Sequence, residues 1–270
     1  MPESSQQRSS KYAQLIIHVF REHYQPGDHV VAFERDELVS GAATLGIDLP
    51  KNLGDVVYSF RYRRAMPEEI AKYAPDGMVW DIYGKGDARY EFEAVLDQSI
   101  VPNRHLRAIK IPDSTPGIIA QHVMGSEQAL LAKVRYNRLI DVFTGIVCYS
   151  LQNHLRTKVP NVGQIETDEV YLGVSKAGTQ YVIPVEAKGG TDKLSVVQMN
   201  QDLELAKSRF PTLECRLVGA QFVDNDIYLF LFAESTDTGR VEVLQEGRFR
   251  LVPPSEITES DLHDYRQTLQ

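Results

Sequence analysis

Apolar residues in the first 95 positions follow two periods, one helical and one of two. Residues 11–24 place Leu15, Ile16, Val19 and Phe20 at helical spacing, and Gln25-Pro26-Gly27-Asp28 breaks the run. Residues 29–33 read as a short strand. A helix is predicted from near Asp36, using Leu38, Ala42 and Leu45, with Gly46 as its stop. Residues 53–63 predict a second short helix with Val56, Val57 and Phe60 inward, and Pro67 opens another through Lys72. Residues 78–83 and 88–93 alternate as strands, with Gly84-Lys85-Gly86-Asp87 between them as a hairpin signal.

Further along, residues 97–125 hold Pro102, Pro112 and Pro116 between short apolar pieces and read as a linker. Residues 126–158 carry Ala129, Leu130, Val134, Leu139, Val142, Phe143, Val147, Leu151 and Leu155 at helical spacing. They predict one bent helix or two, with Gly145 at the bend. Residues 163–173 and 181–190 read as strands around a turn at 175–178. A helix over 194–210 and strands over 215–222 and 227–233 follow. The division expected is a first domain over 1–96, a linker over 97–125 and a second domain over 126–270.

Composition narrows the class. The chain has 270 residues and a formal net charge of -8. No run of about 18 apolar residues occurs, which argues against a membrane-spanning helix. The start is polar and lacks the apolar stretch of a signal peptide, so a cytoplasmic location is expected. Two cysteines are too few for a disulfide framework or a thiolate zinc cluster. The acidity opposes a nucleic-acid partner only if it is evenly spread, and it is not. Residues 102–160 carry 8 Lys and Arg against 3 Asp and Glu, while residues 161–270 carry 10 against 18. Among the polar positions of that basic stretch are Arg135 and Arg138.

The candidate chemistry lies in the two central strands. Side chains at i and i+2 share a strand face, so Glu166 and Asp168 are expected to point together, as are Glu186 and Lys188. Adjacent antiparallel strands would then bring three carboxylates and one ammonium to a point. Three close acids repel unless a divalent cation lies among them, and oxygen-only donors favour Mg²⁺ or Mn²⁺ over zinc. The plain alternative is an amphipathic hairpin with a solvated charged side. Against it, Glu186 and Lys188 close an apolar strand just before Gly189-Gly190, where a central strand would leave the core.

Asp168 followed 18 residues later by Glu186-Ala187-Lys188 resembles the PD-(D/E)xK nuclease superfamily, the restriction-endonuclease-like fold. The resemblance covers about residues 126–235. It implies a mixed α/β (α+β) sheet flanked by helices, Asp168 and Glu186 as metal ligands, and Lys188 as the catalytic lysine. Gln198 is similar to a glutamine that some branches carry in the helix after the lysine. No proline precedes Asp168, which leaves Glu166 as a second ligand, an outer partner or a bystander.

The first 96 residues follow the element order of a winged helix-turn-helix. Tyr58, Arg61, Arg63, Arg64 and Lys85 are the candidate contacts to double-stranded DNA there. The function expected is a Mg²⁺-dependent DNA endonuclease, with Mn²⁺ able to substitute, of the type II restriction class. A homodimer is expected with it, because palindromic duplex cutting uses two active sites. The alternatives are a repair or junction-resolving nuclease, or a DNA-binding protein whose nuclease fold no longer cuts.

Overall fold

The helical spacing of Leu15, Ile16, Val19 and Phe20 buries all four side chains in a computed structural model of the chain. The structure describes residues 5–49, 53–62, 64–96, 100–122, 127–160, 162–189, 192–235 and 241–267. The chain divides into two units, residues 1–98 with 158–164, and residues 99–157 with 165–270.

In the first unit, α1 (Ser5–His23), β1 (Val30–Glu34), α2 (Glu37–Leu45), α3 (Gly54–Tyr62) and α4 (Glu68–Ala71) precede β2 (Met78–Gly84) and β3 (Arg89–Leu96). The strands form an antiparallel sheet in the order β1-β3-β2. Helix α2 stops where Gly46 takes the left-handed conformation, its N–H donating to the carbonyls of Ala42 and Ala43. The core joins the α1 residues to Val56, Val57 and Phe60 of α3 and to Trp80, Ile82 and Phe92 of the sheet. Phe20 meets Trp80 and Phe92 edge-on.

The second unit is α+β. Its elements are β4 (Ile109–Pro112), α5 (Gly117–Ala120), α6 (Glu127–Tyr136), α7 (Leu139–Thr144), β5 (Val147–Val159), β6 (Gly163–Val174), β7 (Gln180–Lys188), α8 (Val196–Arg209), β8 (Glu214–Cys215), β9 (Leu217–Val223), β10 (Asp226–Glu234) and β11 (Val241–Val252). A 3-10 turn (Pro254–Glu256) and α9 (Glu259–Gln267) follow. The mixed sheet runs β4-β11-β10-β9-β7-β6-β5, with β8 beside β7. Strand β7 is antiparallel to β6 and parallel to β9, so α8 is the crossover from β7 to β9.

Helices cover both faces of this sheet. Leu130, Leu131, Val134, Leu139, Ile140 and Phe143 of α6 and α7 pack against Ile183, Val185, Ala187, Val218 and Ala220. On the other face, Met199 and Leu203 of α8 pack with Leu217, Tyr228, Phe230 and Phe232, and Ala206 packs with Val170 and Val182. Alternate residues of β7 thus point into two cores. This explains its nearly unbroken apolar sequence and leaves Glu186 and Lys188 as its polar ends.

Two stretches depart from the pattern-based expectation. The helical reading of residues 126–158 holds only to Thr144. Arg138 adopts a left-handed conformation between α6 and α7, Gly145 does so after α7, and β5 begins two residues later. The spacing of Val147, Leu151 and Leu155 is four residues, which suits a helix but also keeps one face of a strand. Tyr149, Thr157 and Val159 complete the period-two series and add β-branched and aromatic weight. Residues 100–122, read as part of a linker, supply β4, which pairs in parallel with β11. Ile100 is buried with Leu194 and Met199.

Candidate active site

The β6–β7 ladder runs from Val174 opposite Gln180 to Glu169 opposite Val185. One residue further, the Asp168 side chain takes over: its Oδ2 accepts the backbone N–H of Ala187 at 2.9 Å. A carboxylate in place of a main-chain carbonyl lets the strands separate while β7 stays fixed on β9 from Val185 to Lys188. The pleat alternation of β6 is interrupted at the same place. Thr167 faces α8, donating to Asp202 Oδ1. Glu169, two residues on, accepts from Arg135 of α6 at 2.8 Å and Ser150 of β5 at 2.6 Å. Residues 167 and 169 of a regular strand would face the same way.

Glu186 is buried beside this opening, with only 1% of its surface exposed. Gln198 Nε2 donates to its Oε2 at 3.0 Å, and Lys188 Nζ stands 3.7 Å from the same oxygen. Lys188 Nζ also lies 3.5 Å from Glu127 Oε1 on the first turn of α6. Gln198 is held by the start of α8, where the Ser195 hydroxyl accepts the N–H of Val197 at 3.2 Å. The Glu186 and Asp202 carboxyls, both buried, lie within hydrogen-bonding reach of each other.

The charges follow from burial first. Burial pushes the Glu186 carboxyl well above the usual carboxylate range, and the neighbouring Asp202 and Asp168 carboxylates push it further. Burial likewise raises Asp202, to about 7. Burial alone would lower Lys188, but the carboxylates of Glu186, Asp168 and Glu127 outweigh it and hold the ammonium above its ordinary value. Lys188 is therefore a cation at neutral pH. Burial raises the thiols of Cys148 and Cys215 to about 12, so neither cysteine is an activated nucleophile.

The structure thus brings Asp168, Glu186, Lys188 and Gln198 together at the ends of β6 and β7 and the start of α8. Glu166 is engaged elsewhere: its Oε1 is 3.0 Å from Arg156 and 3.7 Å from His154, both on β5. The cations singled out from the sequence are largely occupied. Lys85 pairs with Glu91 at 3.0 Å and Glu93 at 2.7 Å, and Arg138 pairs with Asp141. Arg135 binds the buried Glu169 and reaches Asn153 at 3.1 Å. Arg64 lies over the Tyr12 ring at 5.8 Å, and Tyr58 and Arg61 are half-buried. Arg63 lies outside the described residues.

Two carboxylates that sequence reasoning did not single out belong beside the site. Asp202 lies four residues after Gln198, on the same face of α8, and that spacing in a buried helix was a readable signal. Glu127 is far from the motif in sequence, and nothing in its surroundings marks it.

Among the described residues, no group of three or more His, Cys, Asp or Glu side chains is arranged to hold a metal ion. Asp168 and Glu186 offer two carboxylates, a set that suits Mg²⁺, which keeps several waters and takes one or two protein carboxylates. Both are oxygen donors of the required hard kind, and Glu186 is buried at the site. No protein-family model matches the chain, and no curated protein matches it significantly.

Proposed function

We propose that the chain is a Mg²⁺-dependent DNA endonuclease of the PD-(D/E)xK type, acting as a type II restriction enzyme. The observation that carries this reading is the meeting of Asp168, Glu186, Lys188 and Gln198 where β6 and β7 part. The order α6, the adjacent strands β5-β6-β7 with β6 antiparallel to β7, α8, then β9 parallel to β7 supports it. In the first unit, three tight helices and a β1-β3-β2 sheet support a winged-helix reader of double-stranded DNA. The enzyme would work as a homodimer, with one site for each strand.

The residues divide the chemistry as follows. Asp168 and Glu186 would hold the cation, which when bound lowers the pKa of water and offsets charge developing on the phosphate. Asp168 also fixes the end of β7 through the Ala187 N–H. Gln198 orients Glu186 by its hydrogen bond to Oε2. Lys188, kept protonated by three carboxylates, donates to the attacking water or to a phosphate oxygen and adds positive charge beside the in-line displacement.

Supercoiled plasmid and a large phage DNA, incubated with the protein in Mg²⁺ or in EDTA, test this. Discrete fragments in Mg²⁺ and none in EDTA are expected. Asp168→Asn, Glu186→Gln and Lys188→Ala should each cut at least roughly 10²–10³-fold more slowly. No cleavage by the wild type in Mg²⁺ or Mn²⁺, or full cleavage by a folded Lys188→Ala, would overturn the reading.

A further inference from the structure

Gln221 lies near the carboxyl end of β9, paired in register with Lys188 at the end of β7. The two side chains share a sheet face. Val185 and Ala187 of β7, with Val218 and Ala220 of β9, point into the core under α6 and α7. Their alternates Glu186, Lys188, Gly219 and Gln221 therefore point the other way. Gly219 agrees with this parity, because a Cβ there would meet Leu194 and Phe232 of the α8 core. Gln221 is 6% exposed, and its Nε2 donates to the Asp192 carbonyl at 3.0 Å. That carbonyl can only accept, which fixes the orientation of the amide and leaves Oε1 as its other end. Oε1 is buried and meets no donor among the described residues. A buried amide oxygen without a donor is unfavourable, and a methionine would fill the same space without that cost.

The matching surplus of donors belongs to Lys188. Its ammonium carries several N–H groups. Its carboxylate neighbours stand at 3.5 Å (Glu127 Oε1) and 3.7 Å (Glu186 Oε2), beyond the roughly 2.7–2.9 Å of a charge-assisted hydrogen bond. We propose that Gln221 is a positioning residue for Lys188, its Oε1 accepting from Lys188 Nζ when the ammonium leaves Glu127. A neutral amide suits this task. It fixes the direction of the ammonium without cancelling its charge, as a further carboxylate at close range would, so the charge stays available to a phosphate. The other end of the amide is anchored on Asp192, whose N–H donates to the Gly189 carbonyl at 3.2 Å in the turn that leaves β7. Lys188 is thereby referenced to β9 and to the segment that leads into α8. The pairing stands on geometry alone. Its use, aiming Lys188 at a phosphate oxygen or the attacking water, rests on the nuclease reading.

The test follows the Lys188 ammonium by ¹H–¹⁵N NMR in the full-length chain labelled with ¹⁵N-lysine, the signal being identified by its loss in Lys188→Met. In Glu127→Ala, where Lys188 must turn to Gln221, exchange of the ammonium protons with water should stay slow. Adding Gln221→Met should speed that exchange by roughly fivefold or more, as expected for one lost hydrogen bond. Adding Gln221→Glu, which keeps the acceptor, should not. Exchange unchanged by Gln221→Met, or a Lys188 signal already lost in Glu127→Ala alone, would overturn the pairing. Single-turnover cleavage in Mg²⁺ then reads its use. Gln221→Met should lower the rate at saturating DNA by about 10–100-fold, with little change in the half-saturating DNA concentration. Gln221→Glu should recover most of that rate. Both variants lose the Nε2 donor, so an equal loss in both would make Gln221 an anchor for the Asp192 segment and overturn the positioning role. Should Gln221→Met not fold, Gln221→Leu is judged by the same criteria. The two readings fail separately. Wild type that cuts no DNA overturns the nuclease, while the ammonium exchange still decides the pairing.

Discussion

Gln198 donates a side-chain hydrogen bond to Glu186 Oε2 at 3.0 Å. Removing the amide therefore frees a carboxylate to rotate and takes a donor from that oxygen. Gln198→Ala should raise the Mg²⁺ concentration for half-maximal cleavage by about 10–100-fold. The rate at saturating Mg²⁺ should change much less, because Lys188 keeps Glu186 and Glu127 as partners. A Mg²⁺ titration of the cleavage rate separates the two quantities. An equal loss at all Mg²⁺ concentrations would place Gln198 on the phosphate instead of on Glu186. The motif of Asp168, Glu186, Lys188 and Gln198 was legible in the sequence because strand ends and helix starts are marked locally. Asp202 was less so: its role depends on Thr167 and Glu186, and neither contact leaves a trace in the pattern of apolar residues.

Element boundaries were legible where the two periods disagree and obscure where they coincide. The first unit shows period-two strands at 78–84 and 89–96 and a glycine stop at Gly46, and its elements lie where the pattern puts them. Residues 147–159 show a spacing of four that both periods share, and β5 was read as helix for that reason. The segment 100–112 escaped notice because what holds it comes from a distant strand. Arg248 on β11 donates to the carbonyls of Arg104 and Leu106 at 2.7 and 2.9 Å. Asp226 fixes Arg248 and Arg250 with contacts of 2.6–3.0 Å. Burial alone would raise the Asp226 carboxyl, but hydrogen bonds from Arg250 and Arg248 outweigh it and hold it below its ordinary value. A depressed carboxylate adds stability that is present above its unfolded pKa and lost as pH falls through the folded one. Asp226→Asn should thus destabilise the protein by about 2 kcal/mol at neutral pH, with the arginines partly exposed and screened. The difference from wild type should shrink in acid below the ordinary carboxylate range. Urea midpoints at pH 7 and pH 3 measure it, and an unchanged midpoint at pH 7 would show that the cluster contributes nothing.

At the scale of the whole molecule, the net charge of -8 is the property that bears most on a DNA partner. By segment, residues 102–160 look like a basic surface for phosphates. In the folded chain much of that surface is spent internally: Arg135 on Glu169, Arg138 on Asp141, Arg156 on Glu166 and Lys110 on Asp261. Lys85, in the first unit, is similarly held by two glutamates. A cation already paired gains little by meeting a phosphate, because a carboxylate must be released and rehydrated first. Binding by the proposed enzyme should therefore depend on few phosphate contacts and strongly on the divalent ion that neutralises Asp168 and Glu186. With about five phosphates engaged, the slope of log K against log salt would be about -4.5. Fluorescence anisotropy with a labelled duplex, at several NaCl concentrations in Ca²⁺ and in EDTA, measures both dependences. The expected result is a shallow slope in Ca²⁺ and much weaker binding in EDTA. A slope of about -9 or steeper, unchanged by EDTA, would mean that the internal pairs open to bind phosphate and that the acidic site takes no part in holding DNA.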